Sequence, residues 1–129
     1  MGYVMLLAGL VLWTLGHGLK IHAPARRAAL VEKIGEVGVK IGALAAIVLS
    51  VVLMVRGYSA AGYVEVWFPP GFLVHLNNLL MVIALGIYIA GPFPGHVRAW
   101  IRHPQLTGVK LWAVAHLLVN GDLASVILF

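Results

Sequence analysis

A chain of 129 residues with 62% hydrophobic and 10% charged side chains cannot form an ordinary water-exposed domain, in which roughly 25% of residues are charged. It is an integral membrane protein of mean hydropathy +1.01, and at about 20 apolar residues per crossing its length accommodates one all-α bundle of about four transmembrane helices. The absence of cysteine excludes disulfides, iron–sulfur clusters and thiolate ligation, and the net charge of +5 is accounted for by the connections between spans, so no nucleic-acid partner is implied.

Residues 2–19 form the first predicted span. They lack a basic leading region and a small-residue cleavage site, so they read as a retained helix and not as a signal peptide. Gly2, Gly9 and Gly16 recur every seven residues, a row that offers a flat face to another backbone. Within this span stands Leu12-Trp13-x-x-x-His17-x-Leu19, which sets an indole one helical turn before an imidazole on the same face. The connection 20–36 carries Lys20, Arg26, Arg27 and Lys33.

The second predicted span, 37–55, repeats small residues every fourth position at Gly38, Gly42, Ala46 and Ser50, again a stripe for close helix approach. Its outgoing connection, 56–71, holds only Arg56. The third span, 72–90, follows Pro69-Pro70, with Pro70 suited to an early helical position where no amide donor is needed. There His75 shares a face with Asn78 near the outer surface. The connection 91–105 contains Arg98 and Arg102. Because basic residues collect on the cytoplasmic side, the first and third connections are predicted to face the cytoplasm and both chain ends to lie outside.

The fourth predicted span, 106–129, begins beyond His103-Pro104. Proline is well placed in a first helical turn, so His103 falls near the N-cap, and the free amides that follow attract anions. With Arg98 and Arg102 nearby, a carboxylate or phosphate has a docking place, whether a heme propionate, a lipid headgroup or a cofactor carboxylate; alternatively, the arginines only set topology. The span repeats the first motif as Leu111-Trp112-x-x-x-His116-x-Leu118. Asn120 shares the face of His116, whereas Asp122 points elsewhere, either as a charge near the outer interface or as half of a buried pair.

A titratable imidazole inside a membrane span is costly and marks a functional site or a buried partner. Two of them, each preceded by tryptophan, could clasp one flat, metal-containing ligand, with Gly16, Gly18, Ala113 and Ala115 leaving room beside the rings. In the other reading Trp13 and Trp112 anchor helix ends at the headgroups and each histidine hydrogen-bonds a neighbouring helix. If Lys20 and Lys110 both mark the cytoplasmic boundary, His17 and His116 differ in depth by roughly 4 to 5 Å, which tilt absorbs. His75 enters from the opposite side and is the weaker partner for either.

The run Arg102-His103-Pro104-Gln105-Leu106-Thr107-Gly108-Val109-Lys110, continuing through Trp112-Ala113-Val114-Ala115-His116 to Asn120-Gly121-Asp122, resembles the signature of NnrU-family membrane proteins. Arg56-Gly57-Tyr58, Trp67 with Pro69-Pro70, and His75 add to the resemblance, which covers nearly the whole chain. It implies a multi-pass protein of the bacterial inner membrane with a redox, sensing or assembly role linked to denitrification and nitric-oxide metabolism. The related 15-cis-zeta-carotene isomerase of plants and cyanobacteria is a heme b enzyme with histidine-ligated iron. By position this implies heme b between the first and last spans, with His17 and His116 as axial ligands and His75 or His103 as second choices. Trp13 and Trp112 would flank the group, and Arg98, Arg102 and His103 would meet its propionates.

Family members continue with further spans, so an end at Phe129 inside an apolar run implies a short member or a piece of a longer protein. Lack of cysteine argues against isomerase-type ligand switching through thiolate. A carotenoid-type isomerase stays open as an alternative, and so do two other functions. The Arg-His-Pro segment and later glycine are also similar to membrane methyltransferases of the isoprenylcysteine and thiol type, which implies S-adenosylmethionine. A helper subunit without cofactor, its histidines bonded only to other helices, is the remaining reading. Partners implied throughout are membrane lipid and either other membrane subunits or a second copy of the chain.

Overall fold

The computed structural model describes all 129 residues. The chain is all-α, as its composition requires, and it gathers into two compact units, residues 1–62 with Leu128 and residues 63–127 with Phe129. Helices α1 (Gly2–His22) and α2 (Pro24–Ala60) build the first, and α3 (Leu73–Ala90), α4 (His96–Trp100), α5 (Pro104–Val119) and α6 (Leu123–Leu128) belong to the second. Three helices, α1, α2 and α3, are long and apolar enough to cross a membrane.

In the first unit α1 and α2 form an antiparallel hairpin held by glycine. A Cβ on Gly2 would meet the backbone of Ala60 and Ala61, and one on Gly57 the backbone nitrogen of Leu6. Further along, a Cβ on Gly9 would lie 2.8 Å from the Met54 nitrogen and 2.9 Å from the Ser50 oxygen, and one on Gly16 3.3 Å from Ile47 Cγ1. All three members of the predicted seven-residue row therefore face α2. In a bilayer, where lipid tails are as apolar as the helices, such backbone proximity is a main source of association through dispersion contacts. Leu6 and Ser50 are fully buried at this seam, and Ser50 Oγ donates to the carbonyl of Ile47 at 2.6 Å, so its hydroxyl is satisfied within its own helix.

The connection expected at 20–36 is helical instead. Only Ala23, with φ −141° and ψ 58°, separates α1 from α2, and Pro24 starts α2 in the first turn, where its missing N–H costs nothing. Gly35, at φ 74° and ψ 163°, then breaks the helical path, a backbone state open to glycine and strained for other residues. Residues 24–34 thus form a short basic arm ahead of the apolar length of α2. Arg27 pairs across the break with Glu36, which also meets Lys40 at 3.7 Å.

In the second unit α3 and α5 run antiparallel. A Cβ on Gly108 would sit 2.8 Å from the Ala84 oxygen and 3.0 Å from Tyr88 Cβ, and one on Gly91 2.9 Å from Gln105 Cγ. Pro70 lies before α3 and not within it. Leu73, Val74 and His75 donate to the carbonyls of Pro70, Gly71 and Phe72 at 3.0, 3.3 and 3.1 Å, and these tight i to i+3 bonds delay the regular helix to Leu73.

The fourth predicted span is interrupted. Helix α5 has 16 residues, about 24 Å at 1.5 Å per residue, and after Asn120 the chain turns extended. The amides of Val66 and Trp67 donate to Gly121 O at 2.7 and 3.0 Å, and Leu123 donates back to Val64 O at 2.8 Å. A Cβ on Gly121 would collide with the Trp67 carbonyl, so only glycine allows this clasp. Asp122 then caps α6. Its two oxygens accept from the Ser125 amide at 2.9 Å and the Ser125 hydroxyl at 2.6 Å, which explains how a carboxylate only 7% exposed is held there. Its partner is thus the helix it starts and not an opposite charge.

Candidate functional site

Helix geometry brings Trp13 onto the face of His17, with ring centroids 4.1 Å apart and planes tilted by 38°. The His17 Nδ1 lies 3.0 Å from the Trp13 carbonyl oxygen. A carbonyl only accepts, so the proton resides on Nδ1 and the lone pair is on Nε2. Helix α5 repeats the arrangement. Trp112 and His116 have centroids 4.7 Å apart at 54°, and His116 Nδ1 is 2.9 Å from the Trp112 oxygen. Each imidazole thus has its tautomer and ring plane set by its own helix, with Nε2 free to bind something else. Orientation of a metal-binding histidine by a bond from its second nitrogen is the usual arrangement in metal sites.

The two sites differ in shielding. His17 is exposed on its unit, whereas His116 is half-buried. A third ring, unforeseen in the sequence, covers the latter: Phe129 stacks on His116 with centroids 4.4 Å apart at 29° and meets Trp112 edge-on at 5.0 Å. No local spacing rule links Phe129 to His116, since the contact depends on the turn at Gly121. Asn120, as its spacing predicts, shares the His116 turn, and its Nδ2 donates to the His116 carbonyl at 2.9 Å.

The small residues beside the histidines are filled by packing. The space over Gly16 is taken by Ile47 and that over Gly18 by the His22 ring, 2.7 Å from a Cβ placed there, while Ala115 is fully buried. Gly18 and Ala115 therefore leave no slot beside the imidazoles, whereas Gly16 lies at the edge of a groove and Ala113 is half-buried.

The register of α3 on α5 also revises the place of His75. Gly108 lies against Ala84 and Tyr88, so His116, two turns further along an antiparallel partner, is level with the stretch 76–80. His75, exposed at the start of α3, sits about one turn beyond that level and not at the opposite end. His103 is the N-cap of α5, as predicted, with Pro104 in the first turn and no side chain on the free amides. Arg102 precedes it and Arg98 lies on α4; both are exposed and outside the ion pairs of the chain.

No cluster of three or more histidine, cysteine or acidic side chains occurs, so the chain builds no cage for a bare ion. The donor set suits a different case. A porphyrin supplies the equatorial ligands of its iron, and the protein need add only an axial imidazole or two. His17 and His116 each present one oriented Nε2 on their own unit.

No curated protein and no solved structure matches the chain. The family described as NnrU protein matches residues 5–129, nearly its whole length, and the chain belongs to the NnrU family of membrane proteins.

Proposed function

We propose that this NnrU-family protein binds heme b through the Nε2 atoms of His116 and His17 and serves a redox, sensing or assembly role next to nitric-oxide metabolism. The observation that supports it is the pair of matching Nδ1 to carbonyl bonds, at Trp13 and Trp112, which leave both Nε2 atoms oriented and unpartnered. Heme held there would supply a one-electron centre. Phe129 stacks on the His116 ring and Trp112 leans against it at a tilt, which fixes the ring between two aromatic neighbours. Arg98, Arg102 and the uncapped amides of α5 lie at the other end of that helix, about 18 Å along its axis from His116, so they stand apart from a group held at this imidazole. Purified in detergent, the protein is expected to show a Soret band and a pyridine hemochrome spectrum of the b type; a colourless preparation from heme-replete cells would sink the reading.

The same reading places the protein in the bacterial inner membrane with the first and third connections in the cytoplasm. The arm 24–34 and the stretch 98–102 concentrate the lysines and arginines outside the spans, whereas the opposite side holds Arg56 alone. Reporter fusions at Arg27 and Arg98 are expected to be active only as cytoplasmic reporters, and one at Ala61 only as a periplasmic reporter. The inverse pattern would reverse the topology.

A further inference from the structure

The glycines of α2 fall into two groups. Gly57 is explained by the backbone of Leu6 packed against it, but a Cβ on Gly42 would meet nothing within 4 Å. Glycine in a helix interior is less favourable than alanine, and helix packing gives no reason for it at Gly42. What Gly42 does is deepen an apolar groove of about 290 Å³, walled by Leu15, Gly16 and Leu19 of α1 and by Leu30 and Ile34 of the basic arm. The groove lies wholly inside the first unit.

Cations stand next to its lining along the chain. Leu30 lines the groove, and on the same helical face Arg26 lies four residues before it and Lys33 three after, while Lys20 adjoins Leu19. Arg27 and Lys40 are engaged by Glu36, but Lys20, Arg26 and Lys33 form no ion pair in the chain and are exposed. Across residues 20–40 five cations face only Glu32 and Glu36, a net charge of +3.

We infer that this groove holds one acyl chain of an anionic phospholipid whose phosphate rests on Lys20, Arg26 and Lys33. Apolar walls and unpaired cations beside them in the chain match the two parts of such a molecule, and a zwitterionic lipid would carry a like charge to the cations. Each lysine or arginine near an anionic surface strengthens binding roughly fivefold. The assignment uses no residue proposed to touch heme.

Native mass spectrometry of the detergent-solubilised protein tests it, with phosphatidylglycerol and phosphatidylcholine of identical chains as probes. The wild type is expected to retain one phosphatidylglycerol at least tenfold better than phosphatidylcholine, with no displacement by soluble glycerol phosphate. Joint replacement Lys20→Gln, Arg26→Gln and Lys33→Gln, all on exposed positions, is expected to abolish the preference between headgroups. Gly42→Leu, which fills the groove, is expected to lower retention of both lipids. Equal retention of the two lipids by the wild type, displacement by glycerol phosphate, or unchanged binding in both variants would overturn the assignment.

Discussion

Replacement of His116 by alanine is expected to lower the heme content of the purified protein by more than tenfold while the protein still inserts and keeps its helical circular dichroism. The Nδ1 bond of the ring is made within one helix, and its aromatic contacts are with Trp112 on that helix and with Phe129, not with α3. Disturbing partners that merely orient a metal ligand already costs about 10- to 100-fold in affinity, so removal of the ligand itself should cost more. Exogenous imidazole is expected to restore part of the Soret absorbance. His17→Ala is expected to convert a low-spin spectrum to a high-spin one. If His17→Ala leaves the spectrum intact and His75→Ala changes it, the second nitrogen comes from α3, whose register puts His75 near the level of His116. Full-strength spectra in both His116→Ala and His17→Ala would remove histidine ligation at these positions altogether.

The second large effect concerns the hairpin seam. Gly57→Leu is expected to destabilise the protein by about 3 kcal/mol, at the upper end for overpacking, because the backbones of Leu6 and Gly57 are already in contact and neither helix can retreat without losing the buried Leu6 and Ser50 contacts. Gly42→Ala, in the same helix but facing open space, is expected to be neutral or to stabilise by about 0.5–1 kcal/mol through backbone entropy. Thermal or dodecyl-sulfate unfolding followed by circular dichroism measures both. Equal effects at the two positions would show that backbone proximity does not hold α1 to α2.

Gly57 and Gly42 also mark how far pattern alone reaches. Periodicity identifies a face but not its occupant. The seven-residue row of Gly2, Gly9 and Gly16 was legible as a contact face, and all three residues meet α2. The four-residue stripe of α2 was equally legible, yet its residues divide: Ser50 is buried in the seam, while Gly38 and Gly42 line a groove. Likewise, i to i+4 spacing set Trp13 on His17 and Trp112 on His116, since an α-helix imposes that contact locally. Phe129 on His116 was not legible, because it depends on the turn after α5.

What the sequence by itself determined were the properties that hydropathy, charge and local helix geometry impose: an all-α membrane protein, the apolar helices, the two tryptophan–histidine turns, the N-cap at His103 and the match to the NnrU family over residues 5–129. Tertiary structure decided what depends on residues far apart in the chain. An apolar run from 106 to 129 reads as one span until the backbone of residues 64–67 claims Gly121 and Leu123 by hydrogen bonds. A basic connection reads as a loop until Pro24 and Gly35 shape it into a helical arm that closes a groove. Hydropathy reports only the free energy of each residue in lipid, and it is blind to the long-range backbone pairing and steric contact that set these breaks.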